Sequence, residues 1–239
     1  MPGSAQPTVV LVHGAFADAS GFAGVVRELS AAGYPVVAPP NPLRSLAGDA
    51  AAVSAVAGAI AGPVMLVGHS YGGAVITQAS AHASNVVGLV YLAAFSLDAG
   101  ESCASVQAPF PPSMLATTVA PTSYDAPGAA GGPDLYISED GFRETFCADS
   151  RAELAQVMWA TQRPLAAAAF SENATAAGWK AIPSWYQLAR LDNAIPPQAQ
   201  EFMASRMNSV TEEVNGSHTA FIAQPERTAA FIKKALAQS

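Results

Sequence analysis

Gly68-His69-Ser70-Tyr71-Gly72 sets a hydroxyl between two glycines, after the apolar run Val64-Met65-Leu66-Val67 and before a helical pattern. A serine hydroxyl is a weak nucleophile until a neighbouring base activates it. Gly-x-Ser-x-Gly between a strand and a helix is the nucleophile elbow, a turn so sharp that its neighbours must be small. The strained turn holds the hydroxyl clear of the sheet. The chemistry predicted for Ser70 is attack on a carbonyl carbon.

Such a serine needs a base, an acid to orient that base, and donors for the oxyanion. The chain has four histidines, so elimination is informative. His13 ends the first apolar run and reads as a brace for the loop after it. His69 lies inside the elbow with its side chain turned from the hydroxyl, and His82 falls near the exposed end of the next helix. His218 remains, in the loop Asn215-Gly216-Ser217-His218-Thr219 between the last strand and the last helix. It is the predicted base.

The acid is expected after a strand, between serine and histidine in the chain. Asp192, in Leu191-Asp192-Asn193-Ala194-Ile195-Pro196, meets that condition, and Asp98 is the runner-up. The predicted oxyanion donors are the backbone N–H groups of Tyr71, next to the nucleophile, and Ala15, in the loop after the first strand.

These residues must be positioned by a sheet. Near-continuous apolar runs at 8–13, 64–69 and 86–94 alternate with helical patterns at 20–32, 46–61 and 71–83. Gly33 stands where the first helix should stop. Such alternation predicts a parallel sheet covered on both faces, an α/β fold. The pattern fails between 98 and 182, where Pro109, Pro111, Pro112, Pro121, Pro127 and Pro133 interrupt short amphipathic pieces. That stretch is expected to be a helical cap inserted after the fourth strand. The core resumes with a strand at 184–189, a helix at 198–207, a strand at 209–214 and a closing helix at 224–236. The expected division is core at 1–97, cap at 98–182 and core again at 183–239. Phe16, Phe95 and Trp159 are the expected substrate-contacting side chains, with Phe110, Met114, Phe170 and Trp179 as further candidate walls.

Composition bounds the partners. The chain has 239 residues, 51% hydrophobic and 12% charged, and a net charge of −7. Without clustered Lys and Arg it offers nothing for nucleic-acid phosphates. Residues 50–68 carry no charge from Ala50 to Gly68, yet Gly62-Pro63 interrupts them, which argues for a helix and a buried strand over a membrane span. The N-terminus shows no positive or apolar leader segment. Cys103 and Cys147 are far apart and without metal-ligand spacing, and read as reduced thiols of a cytoplasmic protein. No cofactor and no metal is expected. The oligomeric state is open, a homodimer included.

Leu11-Val12-His13-Gly14-Ala15, Gly68-His69-Ser70-Tyr71-Gly72-Gly73, Tyr91-Leu92-Ala93-Ala94-Phe95, Asp192-Asn193-Ala194-Ile195-Pro196 and Ser217-His218 together resemble the α/β-hydrolase superfamily. Within it they resemble the small esterase and hydroxynitrile-lyase-like branch. The resemblance implies a catalytic core with a helical lid, a Ser-His-Asp triad and no cofactor. Two positions depart from it. Thr219 follows His218 where lyases of the branch carry lysine, which speaks against cyanohydrin cleavage. Ala189-Arg190-Leu191 precedes the acid where relatives show a Gly-Thr-type turn. The expected activity is hydrolysis of small or medium, mainly apolar carboxylic esters through an acyl-enzyme on Ser70. The alternatives are a ligand sensor with slow turnover, or a cofactor-free perhydrolase or C–C hydrolase using the same three residues.

Overall fold

Apolar β-branched runs form the strands, and their alternation decides what each face buries. In a computed structural model, which describes residues 6–124 and 132–239, the first strand β1 is Thr8–Val12. Its Val9 and Leu11 face one side with Phe22, Val25 and Phe231, while Val10 and Val12 face the other with Ala50, Val53 and Val75. Pro127 and the first five residues lie outside the described ones.

The chain then runs α1 (Ala23–Ala31), β2 (Val36–Val37), α2 (Leu46–Ala59), β3 (Val64–His69), α3 (Tyr71–Ala79) and β4 (Val86–Leu92). Between β4 and β8 lie α4 (Cys103–Gln107), α5 (Leu115–Thr118), β5 (Val119–Thr122), β6 (Asp134–Ile137), α6 (Glu139–Phe146), α7 (Ala152–Ala160), β7 (Leu165–Ala166) and α8 (Ala167–Ser171). β8 (Ser184–Ala189), α9 (Pro197–Arg206), β9 (Val210–Val214), α10 (Ala220–Ala223) and α11 (Pro225–Leu236) follow. Gly33 ends the first helical stretch at φ 86°, a left-handed position that suits glycine.

Six strands form one sheet in the order β2-β1-β3-β4-β8-β9, every neighbour parallel. Helices α1 and α11 cover one face, and α2 and α3 the other. The fold is that expected, an α/β-hydrolase sheet with a cap over it. Parallel strands end on one edge, and loops there come together. β3 ends at His69, β8 at Ala189 and β9 at Val214, so the segments carrying Ser70, Asp192 and His218 all leave that edge. β1 and β3 flank the point where the chain reverses its direction across the sheet.

The expected cap with its helices is present, and it is not built of helices alone. Beside its helices it holds a three-stranded antiparallel sheet, β5-β6-β7. Arg44 Nη1 bonds Asp134 Oδ1 at 2.7 Å, and Ala166 N donates to the Leu43 carbonyl at 3.0 Å. These contacts fasten the small sheet to the loop before α2. Among the described residues no helix is long and apolar enough to cross a membrane.

Candidate active site

Ser70 sits between β3 and α3 with φ 53° and ψ −124°. A non-glycine residue there is strained, at a cost of roughly 1–3 kcal/mol, and persists only where its surroundings enforce it. The enforcement is visible in the glycines around it. A Cβ on Gly72 would stand 2.3 Å from the Val12 carbonyl oxygen. One on Gly14 would stand 2.6 Å from Ser70 Cβ and 3.2 Å from Ser70 Oγ. The elbow is therefore pressed against the end of β1, and only hydrogen fits between the loop after β1 and the hydroxyl.

Asp192 follows β8 and His218 follows β9, and the structure brings them together. His218 Nδ1 donates to Asp192 Oδ2 at 2.7 Å, with the two side chains 1% and 0% exposed. A carboxylate accepts only, so Nδ1 carries the proton of this bond, and in a neutral ring so held Nε2 is the acceptor. Asp192 Oδ1 accepts from Ala194 N at 2.7 Å and Ile195 N at 2.9 Å, and Oδ2 also accepts from Gln200 Nε2 at 2.8 Å. Asp98, the alternative acid, instead pairs with Lys180 on the surface, and that ammonium holds its carboxyl below the usual range.

The loop after β1 is braced as its histidine suggested. His13 Nδ1 donates to the Gly14 carbonyl at 2.9 Å, and Nε2 accepts from Asn41 N at 2.9 Å. Burial lowers the His13 pKa, which favours this neutral form. Phe16 N is engaged with the Arg163 carbonyl at 2.9 Å. The Ala15 N–H has no backbone acceptor among the described residues, and Tyr71, first in α3, has none within its helix. The Tyr71 hydroxyl donates to buried Asp49 Oδ2 at 2.8 Å, which fixes the residue after the nucleophile. Burial pushes the Asp49 carboxyl and the Tyr71 phenol up.

A cavity of about 410 Å³ opens on Ser70. Ala15, Phe16, Tyr71 and Phe95 line it beside the serine, and Phe110 and Phe170 stand further along. Met114, Trp159 and Trp179 are not among its walls. Trp159 is the correction to the expected contacts. It lies in a separate hollow with Glu139, Phe142 and Arg143, because α7 packs that face against α6. Trp179 donates to the Leu97 carbonyl at 2.8 Å, a structural bond. Cys103 and Cys147 are buried and free, with burial raising both thiols, Cys147 to about 12.

Sequence reasoning passed over Asp49, Asn41 and Gln200. A lone carboxylate in the Ala-rich stretch of α2 was a readable signal for Asp49. Nothing in the sequence marks Gln200, whose importance is its contact with Asp192.

The profile described as "Alpha/beta hydrolase family" matches residues 9–231. The curated "Alpha/beta hydrolase nvfD" of Aspergillus novofumigatus is 26% identical over 98% of both chains. A pyrethroid hydrolase from Sphingobium faniae JZ-2 superposes with TM-score 0.80 at 23% identity, covering 97% of each chain. The methylesterase MES16 from Arabidopsis superposes with TM-score 0.81 at 18% identity, covering 98% of this chain and 100% of that one. The two solved structures share the fold, and the profile spans nearly the whole sequence: this chain belongs to the alpha/beta hydrolase family.

Proposed function

We propose that the protein is a serine carboxylesterase acting through an acyl-enzyme on Ser70. The observation that carries this reading is the buried 2.7 Å bond from His218 to Asp192, on the same sheet edge as a strained serine facing a cavity. His218 Nε2 takes the hydroxyl proton as Ser70 Oγ attacks the ester carbonyl carbon. The carbonyl oxygen gains charge and is met by the N–H groups of Ala15 and Tyr71. Donors of this kind are typically worth about 10²–10³ in rate. The tetrahedral intermediate collapses, His218 protonates the departing alkoxide, and the alcohol leaves. Water then enters, gives its proton to His218 and cleaves the acyl group from Ser70 as a carboxylic acid. Asp192 stabilises the imidazolium at each stage.

The cavity supports small or medium uncharged esters, since aromatic and aliphatic side chains dominate its walls. The named activities of two fold neighbours, a pyrethroid hydrolase and a methylesterase, are consistent with this class. The free thiols fit a reducing compartment, the cytoplasm.

Turnover of p-nitrophenyl esters from acetate to laurate tests the proposal. Ser70→Ala should abolish turnover while its circular dichroism matches the parent. Retained activity in that variant would exclude Ser70 as the nucleophile.

A further inference from the structure

His69 is fully buried at the end of β3, one residue before Ser70, and is not part of the relay just described. Its side chain reaches the residue assigned as base. His69 Nε2 lies 2.9 Å from the main-chain oxygen of His218. A carbonyl only accepts, so Nε2 carries the proton and donates. The His69 and His218 rings stand 4.7 Å apart at 52°, and Phe221 lies 4.7 Å from the His69 ring. Phe146 meets both imidazoles, at 6.1 Å and 5.2 Å. His69 Nδ1 is buried with no hydrogen-bond partner among the described residues.

We propose that His69 is a positioning residue, a neutral imidazole that ties the main chain of His218 to the turn carrying Ser70. The inference rests on the reading of Ser70 and His218 as nucleophile and base. Two facts separate it from ordinary packing. A phenylalanine would fill the same aromatic slot without burying an unpartnered ring nitrogen, which is unfavourable. The imidazole is explained by what a phenylalanine lacks, the N–H aimed at the His218 carbonyl. Burial and the neighbouring His218 both keep the His69 pKa well below its ordinary value, so it remains a neutral donor when His218 takes the proton.

The arrangement restrains His218 at two points. Asp192 holds the Nδ1 edge of its ring, and His69 holds its main-chain oxygen. Both the ring and the main chain of His218 are thereby held. Because His69 and Ser70 are joined by one peptide bond, the distance from nucleophile to base is set within a very short path of covalent and hydrogen bonds. A misplacement of about 1 Å at such a site can cost roughly 10²-fold in rate.

The test compares His69→Phe, which keeps the ring and loses the donor, with His69→Gln, whose Nε2 can restore the donor without the ring. The readouts are the acylation burst with a p-nitrophenyl ester and the rate of Ser70 labelling by a fluorophosphonate, with His218→Ala as reference. His69→Phe should slow acylation, labelling and kcat by roughly 10- to 100-fold, with KM within about threefold of the parent. His69→Gln should recover much of the loss, although it disturbs the packing more. Unchanged acylation in His69→Phe would overturn the proposal, as would an equal loss in both variants that follows their thermal stability. Should the phenylalanine variant fail to fold, His69→Met makes the same comparison.

Labelling also separates this inference from the esterase reading. If no ester is turned over but Ser70 is labelled in a His218-dependent way, the His69 comparison still decides. If His218→Ala labels like the parent, the base assignment falls and the role of His69 falls with it.

Discussion

Asp192 accepts from two backbone N–H groups, one glutamine amide and one imidazole, which occupies every lone pair a carboxylate offers. Its position is thus determined before His218 is considered, and the histidine takes its tautomer from it. Asp192→Asn should lower kcat by about 10⁴-fold with a small effect on KM, because an amide can impose the wrong tautomer. Steady-state kinetics on a p-nitrophenyl ester checks this, and a change confined to KM would count against it. Gly14→Ala should be as damaging to turnover, since its methyl would press on Ser70 Cβ and Oγ. Motif spacing and chain order point to Ser70, Asp192 and His218 as the candidate residues, and the structure pairs the last two and braces the loop after β1 through His13. The bond from His69 to His218 was out of reach, because it joins residues 149 positions apart and depends on where β9 lands in the sheet.

The elements divide by how local their determinants are. β8 has the bounds its apolar run predicted, Ser184–Ala189, since a buried parallel strand needs little beyond its own residues. The strands of the cap sheet left no such trace. β5 contains Pro121, β7 has two residues, and β6 pairs with both across gaps in sequence. Trp159 was misassigned for the same reason, as its direction follows from the packing of α7 on α6. The cap also reaches into the catalytic edge. Asn193 donates to the Glu144 carbonyl at 2.9 Å, Ser217 N to Asp149 Oδ2 at 2.8 Å, and Thr219 Oγ1 to the Phe146 carbonyl at 3.2 Å. Residues 144–149 are therefore bonded to the loops of both Asp192 and His218. Phe110 is among the cavity's walls. Phe110→Ala should raise kcat/KM for laurate relative to acetate esters by about 10-fold, a difference of a methylene or two in pocket energy. An unaltered chain-length profile would place Phe110 outside the acyl path.

For the whole molecule, burial of neutral imidazoles links stability to pH. His13 and His69 both have pKa values held below the ordinary 6.5 by burial. The unfolded chain binds their protons more readily than the folded one, so stability is full above 6.5 and is lost as pH falls toward the folded values. Thermal midpoints measured from about pH 8 down to about pH 5 should fall, and His13→Asn should flatten part of that slope. A midpoint that rises on acidification would contradict the assignment of neutral rings. The sheet order adds a consequence of another kind. The strand feeding His218 is one of the two edge strands of the six, and of its five residues only Val214 is buried. Its Glu212 and Glu213 form surface ion pairs with Arg190, Arg227 and Lys234, contacts that salt weakens. Fraying at such a margin requires far less than global melting. Mild denaturant or salt would then silence this molecule while its spectroscopic signature stayed whole, with inactivation running ahead of unfolding.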